Sequence, residues 1–394
     1  MQPHPDDRRG TVLVLTALLL VAMASLMALA IDYGTLLTAY NQQQAAADAA
    51  ALAAAADLLD PDRLKGTPYL ADEIAKARQT AVTYAGYHRV LGTTAAVDPN
   101  SSNGVDGDVV VGYLNNPQDY HEPLSFTNLD QFNTVQVRVR RTAANHGPVG
   151  LFFANVLGVR EAEVGATAAA TFKDGVVGFK VTPNSGNAGL LPFTLQRDSW
   201  THYITNGNGS DHWKYDEATD TITAGHDGIP EVTLYPESGS HGGRRSLTSS
   251  MPPGNFGTVD VGNPNNSTAD ITRQILDGVN ASDLSYHGGQ LTLGADGTVI
   301  LNGDTGISAG FKDELDFIKG NPRTIPLYST VSGPGNNAMF TIVKFAGIRI
   351  LDVKLTGSPK YVTVQPAFVI DSTVVTQPGN TSSYFVYAPV YLSR

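Results

Sequence analysis

The chain has 394 residues, long enough for two folded units beyond a membrane anchor, and carries 26 Lys and Arg against 37 Asp and Glu, a net charge of −11. That balance, with no basic cluster longer than Arg-Arg, argues against nucleic acid as a partner, because binding it needs Lys and Arg to displace the counterions condensed on phosphates. The absence of cysteine excludes disulfides, thiolate metal centres and cysteine nucleophiles, while 40 Gly and 22 Pro suit short strands joined by many turns.

Residues 1–10 form a short polar N-terminus. From Thr11 to Ile31 no charge or proline interrupts an apolar run that, at about 1.5 Å per helical residue, matches a hydrocarbon core of roughly 30 Å. A secretory signal has a shorter apolar region ending in a small-x-small site, and Ala28-Leu29-Ala30 resembles one. The apolar register nevertheless continues through Ile31, Tyr33, Leu36 and Leu37, so an uncleaved anchor is expected. Arg8 and Arg9 precede the span and no Lys or Arg follows until Arg63, which orients the N-terminus to the cytoplasm and the rest of the chain outside.

Residues 32–60 continue as an alanine-rich stalk helix, free of Gly and Pro between Thr35 and Asp60 and ended by Pro61. Small residues let helix backbones approach closely, and small-xxx-small pairs stand at Ala24/Ala28 and Ala30/Gly34. With the alanines of Ala45–Ala56 they predict lateral packing with other helices, including association between copies of this chain.

Residues 61–172 read as a small α+β domain. A helix over Leu70 to Gly92 carries Ile74, Ala77, Ala81, Tyr84 and His88 along one side, and a polar stretch with Pro99, Asn100 and Asn103 follows. Strands are expected at Asp108 to Tyr113 and Thr134 to Arg141, the latter with Val135, Val137 and Val139 alternating with polar residues. A short helix over Gly150 to Leu157 and a strand over Ala162 to Phe172 complete it.

Residues 173–394 read as a larger β-rich, mainly antiparallel domain. Strands are expected at 176–182, 231–235, 257–261, 290–293 and 298–301, and helices at 268–279 and 311–318. Three long antiparallel strands over 339–356, 361–376 and 384–392 end the chain, the first two joined across Gly357-Ser358-Pro359. The fold class is α+β.

The run Arg8-Arg9-Gly10, the Asp32-Tyr33-Gly34 step after the span and Ala46-Ala47-Asp48-Ala49-Ala50-Ala51-Leu52 together resemble the N-terminal region of TadG-like proteins of the Tad (tight adherence, Flp) pilus machinery. The segment Asn133 to Phe172 resembles that family's strand, Phe-Phe helix and alanine-rich strand. Pro252 to Gly262, PPGNFGTVDVG, resembles its Pro-Gly-Asn-Phe/Trp-Gly motif. The resemblance implies a single-pass protein of the bacterial inner membrane, with other pilus-assembly proteins as partners and a role in adherence. Related pilins are cut after a Gly with Glu five residues into the mature chain. Here the corresponding Gly is Gly10 and the Glu position holds Leu15, so an uncut N-terminus is expected. An anchored adhesin or minor pilin, binding a glycan or protein through the β-rich part, is the alternative.

No enzyme is expected. Gly306-Ile307-Ser308-Ala309-Gly310 fits a nucleophile elbow, but an esterase of that kind needs a downstream His, and the last His is His287. Asn206, Asn208 and Asp211 offer hard oxygen ligands without the carboxylate density of a calcium loop. Asp283-Leu284-Ser285-Tyr286-His287 departs from the Asp-x-Ser-x-Ser pattern of an integrin-type metal module, and Trp200 and Trp213 read as core rather than a sugar platform. No cofactor or resident metal is implied.

Overall fold

Fifty consecutive residues, Arg8–Asp57, form one helix, α1, about 75 Å long at roughly 1.5 Å per residue. The computed structural model describes residues 8–234, 256–263, 267–333, 335–357, 360–379 and 383–394. Among these, α1 is the one helix long and apolar enough to cross a membrane. Its large side chains are exposed from Val12 to Ile31, and its character changes at Asp32. From there one face, Ala39, Gln43, Ala46, Ala47, Ala50, Ala51, Ala54, Ala55 and Leu58, is fully buried. Steps of three and four residues keep these positions on one side of the helix.

The alanine face expected to receive other helices is therefore covered within the chain. It meets α2 (Thr67–Gly86) through Ala77, Ala81 and Ala85, all without exposure, and a four-stranded antiparallel sheet. That sheet contains β1 (Val109–Gly112), β2 (Thr134–Arg141) and β3 (Val164–Thr171). Val109, Val111, Val135, Val137, Ala168 and Ala170 point into the shared core, as the alternation in β2 predicts. Tyr84, expected on the apolar side of α2, is exposed, because the side that faces α1 runs through Ala77, Ala81 and Ala85. The polar loop after α2 is organised by the buried Arg78, whose guanidinium donates to the carbonyls of Asn100 (2.8 Å) and Val109 (2.9 Å) and to Asn103 Oδ1 (2.6 Å).

Beyond Lys173 the hydrogen-bonded path of the main sheet closes on itself. β4 (Phe193–Gln196) pairs β5 (Phe256–Val259), which pairs β6 (Val299–Asp304). β7 (Pro322–Ser332) and β8 (Ala338–Lys354) complete the ring, since β8 pairs both β6 and β7 and β7 pairs β4 in parallel. The far half of β8 carries β9 (Tyr361–Pro366), which pairs Val232–Leu234. Phe340 fills the ring at the cost of side chains opposite it. A Cβ on Gly257 would lie 2.5 Å from its Cζ, and one on Gly303 would lie 3.0 Å from its Cε2. Gly257 ends the Pro-Gly-Asn-Phe-Gly motif, whose residues 253–255 lie outside the described residues.

Three expectations are corrected here. β7 was not anticipated, because Pro322 and Pro326 interrupt its pattern; pairing with β4 involves Leu327 and Tyr328, just after the second proline. The segment 361–376 is three short strands rather than one. The long antiparallel strand expected over 384–392 is broken at Phe385, which has a positive φ of 60°. Ser383–Tyr384 and Val386–Tyr387 pair their neighbours in parallel, and Tyr391–Leu392 crosses to the edge of the first sheet beside β3. There Ser393 Oγ lies 2.8 Å from Thr171 Oγ1.

Candidate functional site

The most organised polar contact of the N-terminal part lies where the apolar run of α1 ends. Asp32 is only 4% exposed, and its partners among the described residues are backbone N–H groups. Its Oδ1 accepts from the backbone N–H of Phe152 (2.9 Å), and its Oδ2 accepts from those of Phe153 (3.0 Å) and Ala154 (2.6 Å). Three consecutive N–H groups at the start of the short 3-10 helix Ala154–Leu157 thus converge on one carboxylate. The segment is presented by the two-residue strands Val149–Gly150 and Glu161–Ala162, and Leu151 N donates to Arg160 O at 2.9 Å. Gly158 closes the turn with φ 89°.

This latch was not foreseen. The Asp-x-Gly step and the Phe-Phe segment were both visible as separate motifs; the available signal was a carboxylate at the end of an apolar span, where an unpaired charge is costly. The loop it holds is apolar and open: Phe152 is 78% exposed, Val156 86% and Leu157 85%, with Val159 and, on α1, Ile31 and Tyr33 also exposed.

Other candidates resolve into structural roles. Ser308 caps the turn Ala309–Phe311, its Oγ accepting from Gly310 N at 3.2 Å. Asp211 holds a turn by accepting from Asp227 N and Gly228 N, both at 3.1 Å. Asp283 belongs to a capping box with Asn280 and pairs Arg273 at 2.5 Å. Trp200 is fully buried and Trp213 half-buried. Asp60, Asp62 and Glu73 approach one another as a metal site would, yet Lys76 pairs Asp60 and Lys65 pairs Asp62. Arg8, Arg9 and Gly10 form the first turn of α1. Ala24, Ala30 and Gly34 are exposed and Ala28 half-exposed, with open space where Gly34 lacks a Cβ.

Glu231 is the described carboxylate most displaced from ordinary behaviour. It is 1% exposed, and burial pushes it up to about 7 from 4.5, although Oε1 accepts from His212 N (3.1 Å) and Trp213 N (2.6 Å); Asp211 and Asp227 add repulsion. The folded chain therefore holds a proton that the unfolded chain releases, and stability should fall as pH rises between about 4.5 and 7. We expect a loss of about 2 kcal/mol across that window, followed by tryptophan fluorescence in urea, and a flatter profile in Glu231→Gln. An equally steep profile in the variant would assign the proton elsewhere.

Two family models match the chain. One, described as Flp pilus-assembly TadE/G-like, covers residues 10–57, and the other, described as Tad-like Flp pilus-assembly, covers residues 36–170. No curated protein and no solved structure matches. The first match spans the exposed part of α1 and its alanine face, and the second ends within β3, with the core that α1 shares with α2 and the sheet inside it. Over residues 10–170, less than half of its length, the chain is similar to the TadE/G-like and Tad-like families of Flp pilus assembly.

Proposed function

We propose that this chain is a membrane-anchored structural component of a Tad/Flp pilus assembly and secretion system, acting in adherence through protein contacts. It would sit in the inner membrane with a cytoplasmic N-terminus, oriented by Arg8 and Arg9, and expose its folded portion outside. One observation carries the reading: α1 passes without a break from an apolar, exposed half into a half that is the core helix of the exported fold. Such a helix fixes the fold at a set height and angle on the bilayer, as suits a scaffold more than a freely diffusing enzyme. We propose two exported units, residues 36–172 with the last strand, and the ring built from residues 173–390. Because the alanine face is occupied, contacts with other spans or other copies fall to Ala24, Ala28, Ala30 and Gly34.

The reading is tested by shearing filaments from cells, washing the membranes and determining the N-terminus in each pool by mass spectrometry. Uncut chain confined to membranes, with adherence lost on deletion, is the expected result. A chain starting at Thr11 in the sheared filaments would make it a minor pilin cut after Gly10, and unchanged adherence with an intact pilus would refute the role.

A further inference from the structure

Four large apolar side chains in an eight-residue stretch, Phe152, Val156, Leu157 and Val159, have most or about half of their surface uncovered. Such a cluster is unusual on a water-facing loop, where scattered single residues are the norm. Its position is fixed rather than loose, because the Asp32 carboxylate holds the N–H groups of Phe152, Phe153 and Ala154. Asp32 is the residue immediately after the apolar run Thr11 to Ile31. The loop is thus pinned at the height where the span leaves the hydrocarbon, and the neighbours of Asp32 on α1, Ile31 and Tyr33, are themselves exposed.

We infer that the loop Leu151 to Val159 is a second membrane contact, inserting Phe152, Val156 and Leu157 among the phospholipid acyl chains beside α1 at the outer face of the bilayer. This rests on the proposed span of α1. The occupant is lipid because the loop's exposed apolar side chains are held at the end of the equally exposed apolar span, at Asp32, and because nearby residues suit an interface. Tyr33 offers an aromatic ring with a polar end, and Arg160, exposed beside Val159, offers a cation to phosphate headgroups. The latch has a clear purpose in such an arrangement: the three N–H groups that lead into the loop are satisfied by a carboxylate rather than carried bare toward lipid. A helix and a pinned loop together resist rotation about the helix axis in a way that a lone helix cannot.

The absence of cysteine makes the test direct. Full-length chain with Leu157→Cys, Leu20→Cys or Ala218→Cys is labelled with an environment-sensitive nitrobenzoxadiazole dye and reconstituted in phosphatidylethanolamine/phosphatidylglycerol vesicles with or without lipids spin-labelled near the top of the acyl chain. Leu20 lies in the span and Ala218 is exposed at the tip of the hairpin Trp213–Asp216/Thr221–Ala224. The expected result is a blue-shifted emission at Leu157 and quenching several-fold stronger than at Ala218. Quenching at Leu20 but not at Leu157 would overturn the loop contact while leaving the anchor intact, and would make the patch a protein-binding surface. No quenching at either position would overturn the anchor and the inference together.

Discussion

Replacing Ala50 by Leu should destabilise the fold built on α1 by about 3 kcal/mol, whereas the same change at Ala45, five residues earlier on the exposed side, should stay within about 0.5 kcal/mol. Ala50 has no exposed surface and lies in one core with Ala77, Ala81 and the strand residues Val135, Val137, Ala168 and Ala170. A methyl group buries little area, so this core draws less on transfer of large side chains than on the close approach that small ones allow. Three added carbons have no space there, and either α2 or the sheet must move. Ala45 is open to solvent, and Leu is nearly as good a helix former as Ala, so nothing opposes the change. Urea unfolding of the detergent-solubilised chain separates the two variants. Equal tolerance at both sites would mean that the alanine face is not packed within the chain.

Asp32→Ala should speed amide hydrogen exchange at Phe152, Phe153 and Ala154 by roughly 30- to 1000-fold, equivalent to about 2–4 kcal/mol of local stability. The variant removes the shared acceptor of three N–H donors, and no other acceptor is supplied for them by the substitution. Asp32→Asn keeps one acceptor oxygen and loses the charge, so it should fall between the two. Exchange in the β1–β2 pair, which belongs to the shared core, should change little. Unaltered exchange at all three amides would show that the loop is held by its own hairpin and not by the carboxylate.

Legibility in the sequence followed the range of the forces involved. β2 was readable to its ends because Val135, Val137 and Val139 alternate with polar residues, a pattern that depends only on neighbours along the chain. The length of α1 was readable for the same reason, since propensity and the position of Pro61 are local. What the alanines pack against was not readable, because a small side chain signals close approach and says nothing about whose backbone approaches. The partners proved to be α2, itself marked by alanines at a four-residue step, and the first sheet. The Asp32 latch joins residues 120 to 122 positions apart and has no local signature. β7 was hidden by its prolines, and the last expected strand by a bend at Phe385 that no glycine announces.

The crossing of Tyr391–Leu392 to the first sheet has an architectural consequence. The chain leaves β3 at Phe172 and comes back at Tyr391, whose Cα pairs with that of Thr171, so the departure and return points are about one strand spacing, roughly 5 Å, apart. Everything between them is an excursion from a single edge of the fold built on α1, carried like cargo on a fixed mount. The parts of this excursion remote from the mount can be lengthened, shortened or exchanged with both attachment points kept, whereas Phe368, Tyr387 and Val390 pack against the first core and tie their segment to it. The family matches end where that excursion begins. Variation in what different chains of this kind present to their surroundings is therefore expected to concentrate between these two points, with the part built on α1 held constant.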